Sequence, residues 1–151
     1  MTNFRIALVG APNAGKTTLF NGLTGGRAKV ANYPGVTVES KIGKFTTPAG
    51  QSIQLIDLPG VYGLSARSLD ERVTHDVLSG KIANQPQPDA MIVVVDAANL
   101  RTHLHSVLQL KSLGLPMIVA LNMIDLAERD GLVLDVAALE ESLGVPVVAT
   151  C

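Results

Sequence analysis

The chain has 151 residues, a formal net charge of −1 and one cysteine, Cys151, at its last position. That charge gives no reason to expect nucleic acid held by bulk electrostatics, and a lone thiol excludes a disulfide framework or a thiolate metal cluster and fits a reducing, cytosolic setting. The length suits one domain with a sizeable core, and the longest apolar runs, MIVVV and PMIVAL, fall well short of the ~20 residues a membrane span needs, so this segment is expected to be soluble.

FRIALVG reads as a buried strand, and Lys16 to Leu23 as a helix closing at Gly25-Gly26. Residues 30 to 37, VANYPGVT, have the Pro/Gly character of an ordered loop. VESKIGKFTT alternates and, across Pro48 to Gln51, forms a hairpin with SIQLIDL. A Gly-rich loop from Pro59 to Ser65 leads to a helix that Ser68 could cap, with Asp70 and Glu71 in its first turn. AMIVVVD is a strand, Leu100 to Leu113 a helix with Leu104, Val107, Leu108 and Leu110 toward the core. PMIVALN is a strand, Val136 to Leu143 a helix and VPVVAT a last strand. Alternating strands and helices predict an α/β fold: a doubly wound, mostly parallel sheet with helices on both faces and one antiparallel edge hairpin. Such a fold would lay one more helix over the last strand, so the chain is expected to be the front part of something longer.

Gly10-x-x-x-x-Gly15-Lys16-Thr17 matches the phosphate-binding loop at every fixed position, between a strand and a helix start. Its backbone N–H groups, from Gly10, Ala11, Pro12 (which lacks one), Asn13, Ala14 and Gly15 through to Thr18, would wrap phosphate oxygens, aided by the helix dipole. Lys16 would reach the β- and γ-phosphates and Thr17 would give a hydroxyl to Mg²⁺. Asp57-Leu58-Pro59-Gly60 follows a strand; Asp57 can hold Mg²⁺ through water and the Gly60 N–H can touch a γ-phosphate. Asn122-Met123-Ile124-Asp125 follows another, and an Asp125 carboxylate would accept both the N1–H and the 2-amino group of guanine, a donor pair adenine lacks. Each of the last two motifs alone suits ordinary turns. In order, with Thr37 in a loop between the first and second, they form the layout of a GTP-binding domain, every motif at the C-terminal end of a strand.

The stretches GAPNAGKTTLFNGLTG, VANYPGVTVE, LIDLPGVYGL, SLDE, VVVDAANLRTHL and ALNMIDLAE resemble the N-terminal G domain of the FeoB ferrous iron transporters, over essentially the whole chain. The resemblance implies a Ras-like GTPase domain on the cytoplasmic face of a bacterial inner membrane, followed by a small helical domain and a membrane-spanning permease. Residues 1–151 would be that G domain, incomplete at its C-terminus, with GTP and GDP as ligands, no nucleic acid as partner, and a homo-oligomer compatible with it. It departs from the wider GTPase pattern at Val61, where a water-orienting glutamine is common, and at Met123, where a lysine often covers the base. A slow GTPase is therefore expected, with Lys16, Asn13, Thr37 and Gly60 as its catalytic groups.

Asn13, in the loop near the bond that breaks, could lend its side-chain carbonyl to a K⁺ ion doing the work of an arginine finger. The resemblance implies Ala31 and Tyr33 as further carbonyl ligands; the alternative is that Asn13 caps its own loop. Thr37 would bind Mg²⁺ only with a γ-phosphate present, making residues 30 to 38 a switch, or it simply starts the next strand. The loop that closes over guanine begins near Thr150. Asp70 and Glu71 could couple to other parts of the protein, or be solvated at a helix start. His75, His103 and His105 read as surface residues, the last two facing different sides of one helix. Two other functions remain open: a soluble RNA- or ribosome-associated GTPase, which calls for a basic appendage, and a GDP-holding sensor without turnover.

Overall fold

In the computed structural model, residues 4–10, 15–33, 37–59, 69–82, 87–122, 129, 131 and 135–150 are described. The element order is β1 (Phe4–Gly10), α1 (Lys16–Thr24), β2 (Lys29–Asn32), β3 (Glu39–Thr46), β4 (Ser52–Asp57), α2 (Leu69–Leu78), β5 (Ala90–Asp96), α3 (Leu100–Lys111), β6 (Met117–Asn122), α4 (Val136–Leu143) and β7 (Val147–Ala149). They build a seven-stranded sheet in the order β2-β3-β4-β1-β5-β6-β7. β1 pairs in parallel with β4 and β5, and β6 in parallel with β5 and β7. Only β3 runs against its neighbours.

The central strands are near-continuous Ala, Val, Leu and Ile because both their faces are covered. On one face Leu8, Leu55, Val94 and Ala120 pack around Phe20 of α1. On the other, Ala7, Val9, Ile56, Val93 and Val119 meet Val73 and Val77 of α2, Val107 and Leu110 of α3 and Leu143 of α4. Alternation along β1 sends Leu8 to the first face and Ala7 and Val9 to the second.

Two expectations need correction. Residues 30 to 32 belong to a strand, not a loop: β2 pairs Val30, Ala31 and Asn32 with Lys41, Ser40 and Glu39. All of β2 is exposed, so no hydrophobic alternation marked it, and the Pro and Gly just after it suggested a loop. The ladder of β3, not the side chains of β2, recruits the segment. Leu108 is 52% exposed, whereas Val107 and Leu110 are buried. At 100° per residue, Leu108 lies about 100° round from the centre of the face that Leu104, Val107 and Leu110 share. On the same helix His105 is exposed, while His103 is half-buried with its Nδ1 sealed from water.

Candidate functional site

Gly10, Asp57 and Asn122 end β1, β4 and β6. Parallel pairing sets Gly10 beside Val94 and Asn122 beside Asp96, and Leu8 beside Asp57. All three therefore reach the same edge of the sheet, where open α/β folds take their ligands. Gly10 permits a close approach: a Cβ there would stand 2.8 Å from the Val94 carbonyl oxygen. Gly15 turns the chain into α1 at φ 89°, a left-handed conformation suited to glycine. Among the described residues no side chain caps α1, and N–H groups at a helix start suit an anionic ligand. Thr17 and Thr18 are exposed in that first turn.

Lys16 behaves differently. Its side chain is mostly buried, with the ammonium ion-paired to the Asp57 carboxylate and donating to the Leu58 carbonyl at 2.7 Å. The Leu58 N–H in turn donates to the Leu8 carbonyl at 3.1 Å, which continues the β1–β4 ladder past Asp57. The first and second motifs are thus locked through a single cation. An ammonium has three N–H donors, and two of them are engaged by Asp57 and Leu58.

Lys16 and Asp57 open onto a cleft of about 470 Å³ shared with Thr37, Val38, Glu39, Lys41, Pro59, Leu69 and Asp70. The antiparallel β3 makes this possible, since its first residues lie beside the last residue of β4, with Lys41 opposite Asp57. The cleft has both Thr37 and Asp57 in its lining. Lys41 is the residue that sequence reasoning missed. Only the hairpin register could have exposed it, because β-strand alternation alone gave it no special place. Lys41 also lies over the Phe20 ring, 5.4 Å from its centroid, and so fixes its stem against α1.

The loop that carries Thr37 is anchored at both ends. The Tyr33 N–H donates to the Val38 carbonyl at 2.9 Å, and the Tyr33 side chain is 2% exposed, inside the core beside α2. In an antiparallel ladder bonded pairs alternate, so a bond from Tyr33 to Val38 implies a bonded pair at Ala31 and Ser40. The Ala31 carbonyl keeps a second lone pair beyond that pairing. Burial pushes the Tyr33 phenol above its ordinary value of 10.0, and the nearby Asp57 carboxylate pushes the same way. A phenol with a raised folded-state value adds stability that is complete below pH ~10 and is lost as pH rises from there through the folded value. Melting temperature should therefore fall above pH ~10 in the parent and fall less in Tyr33→Phe. Identical alkaline profiles for the two would refute the burial.

At the third motif, Asn122 is largely buried. The Thr150 hydroxyl donates to its Oδ1 at 2.9 Å, and the Thr150 N–H donates to the Leu121 carbonyl at 2.9 Å. Thr150, expected at the start of the guanine-closing loop, is thus bound to the first residue of Asn-x-x-Asp. Ala11, Pro12, Asn13, Ala14, Gly60, Val61, Ser68, Met123 and Asp125 lie outside the described residues.

Mg²⁺ fits the donor set: a carboxylate, Asp57, and a hydroxyl residue, Thr37, line one cleft, and hard oxygen donors suit that ion. Among the described residues no helix is long and apolar enough to cross a membrane.

Comparison with known proteins agrees with this geometry. The sequence model of the family described as "Ferrous iron transport protein B" matches residues 4–151. The Fe(2+) transporter FeoB of Salmonella typhimurium is 51% identical over 98% of this chain, and that of Escherichia coli 49% identical over 98%. In both cases the chain spans only 19% of the relative's length. Among solved structures, the cytosolic domain of the T. maritima FeoB iron transporter in a GDP form superposes with a TM-score of 0.90 at 42% identity, covering 99% of this chain and 56% of that one. Its GMPPNP form gives 0.89 at 43%, covering 97% and 56%. The G domain of the same transporter gives 0.85 at 41%, covering 99% and 87%. The mostly parallel sheet, the phosphate loop between β1 and α1, and the match over residues 4–151 lead to one assignment: this chain belongs to the FeoB ferrous iron transport protein B family.

Proposed function

We propose that the chain binds GTP and hydrolyses it to GDP and phosphate, as the G domain of a bacterial inner-membrane Fe(II) transporter whose uptake it regulates or drives. The observation that carries this reading is the meeting of Lys16, Asp57 and Thr37 in one cleft at the strand ends. Lys16 would hold the β- and γ-phosphates with its remaining donor, and then with two as Asp57 turns to the metal side while Leu58 keeps the third. Thr17, Thr37 and Asp57 would hold Mg²⁺. When bound, Mg²⁺ neutralises phosphate charge as the γ-phosphoryl leaves. The chain's own task is positioning: exposed N–H groups of α1 orient the phosphates, and Gly60 donates to the γ-phosphate. Asn122, steadied by Thr150, frames a guanine site completed by Met123 and Asp125.

Residues 1–151 would be this domain without its closing segments, followed by a helical domain and then the permease at the cytoplasmic face of the membrane. The small share of the relatives that the chain spans supports this, as do Ile118 and Val148, 42% and 51% exposed on β6 and β7. The RNA-associated alternative is not favoured by the family assignment.

We further infer K⁺ assistance, with the Asn13 carbonyl as the side-chain ligand and Tyr33 and Ala31 as backbone ligands. Ala31 would serve through the second lone pair of its carbonyl. The test is GTP turnover at equal ionic strength in KCl and in NaCl, for the parent and Asn13→Ala. Faster turnover in KCl that vanishes in the variant is expected. Equal rates in both salts would remove the cation from the mechanism and leave a nucleotide switch that needs a partner's catalytic group.

A further inference from the structure

Another concave region among the described residues lies away from the candidate cleft, at the β2 edge of the sheet. It is a groove of about 830 Å³ lined by Thr24, Arg27, Lys29, Ile42, Lys44 and Gln54, with Gly25, Ala28 and Gly43 between them. Three cations and no carboxylate line it. Residues 27–46 carry Arg27, Lys29, Lys41 and Lys44 against the single carboxylate Glu39, although the whole chain is near neutral. Among the described residues, Arg27, Lys29 and Lys44 form no ion pair.

The backbone at this place is incomplete on one side. β4 pairs with Lys41 to Thr46 of β3, but β2 pairs only with Glu39 to Ile42. Gly43 to Thr46 therefore belong to a ladder on one side alone, and the groove opens there. Its walls include the successive residues Ile42, Gly43 and Lys44, whose side chains alternate between the faces of the sheet. Ile42 and Lys44 share a face, and Gln54 of β4 is the register partner of Lys44, so the groove starts at the open edge and continues over that face of the β3–β4 pair. Gly43 keeps the place narrow: a Cβ would stand 2.5 Å from Thr24 Cγ2 and 3.0 Å from the Arg27 carbonyl oxygen.

We propose that this edge is a docking site for an extended acidic peptide, which adds a strand along β3 beyond the start of β2 and sets its carboxylates against Arg27, Lys29 and Lys44. Edge pairing supplies main-chain hydrogen bonds and the flanking side chains supply selectivity. Lysines on an exposed edge also deter edge-to-edge aggregation, but that task needs no groove. A flat anionic membrane would touch the cations without entering the slot, so the peptide fits better.

The probe is the fluorescein-labelled peptide Glu-Thr-Glu-Val-Glu-Thr, followed by anisotropy and by amide shifts of the ¹⁵N-labelled chain. Binding should perturb amides of residues 43–46 and 29–32. It should vanish when the central valine of the probe is replaced by proline, which removes a ladder donor, or when the glutamates become lysines. The double variant Lys29→Glu with Lys44→Glu should bind about tenfold more weakly or worse, with GDP binding intact as evidence of folding. The proposal is overturned if shifts fall elsewhere, if none occur at millimolar probe, or if the proline probe binds equally, which would mark a simple anion site. It is also overturned if phosphatidylglycerol vesicles bind through the same cations while the peptide does not.

Discussion

Lys16→Ala should lower the single-turnover rate of GTP hydrolysis by two to three orders of magnitude, about the cost of removing one preorganised donor from a developing charge. Two losses coincide in this variant. The ammonium no longer spans the phosphates, and Asp57 loses the cation that neutralises it in a largely buried position. Breaking a buried pair by deleting one partner costs more than deleting both, so Lys16→Ala should also melt lower than Lys16→Met with Asp57→Asn. Nucleotide affinity, followed with a fluorescent GDP analogue, should weaken less than turnover does, because the α1 N–H groups remain. A hydrolysis rate within threefold of the parent would show that Lys16 serves only to neutralise Asp57.

The largest effect on stability is expected from Phe20→Ala. Phe20 is fully buried at the centre of the smaller core, against Leu8, Leu55, Val94 and Ala120, with Lys41 over its ring. Truncating such a ring costs about 3–5 kcal/mol, and for a chain of this size that lowers the melting temperature by roughly 10 °C. α1 starts at Lys16 directly after the phosphate loop, so loosening its anchor should also weaken GDP binding. Saturating GDP would then restore part of the lost melting temperature. A fall of less than about 3 °C would mean that α1 is held chiefly by its ends.

These two residues also mark how much was legible beforehand. Lys16 was readable because phosphate chemistry fixes residue types at fixed spacing. Asp57 and Asn122 were readable because each ends an unmistakable apolar strand. Lys41 was not, since its place in the cleft comes from pairing across a hairpin, and register is written in two segments at once. β2 escaped for a related reason: its four residues bury nothing, and the strand exists only because β3 offers a ladder. The hydrogen bond between Thr150 and Asn122 joins the residue after β7 to the last residue of β6, a relation carried by parallel topology rather than by local pattern.

The antiparallel course of β3 separates the hairpin's two ends. Glu39 lies at the nucleotide cleft, while Thr46 turns into β4 through Thr47 to Gln51 roughly 25 Å away. That distant turn is closed by its own bonds, Gly50 N–H to the Thr47 carbonyl at 2.8 Å and Thr47 N–H to the Gln51 carbonyl at 2.9 Å. It is mostly exposed and shares no cleft residue. A dye or short epitope placed at Pro48 or Ala49 would therefore sit at the far end of the hairpin from the cleft. Such a label would mark the domain while leaving the chemistry of the cleft untouched.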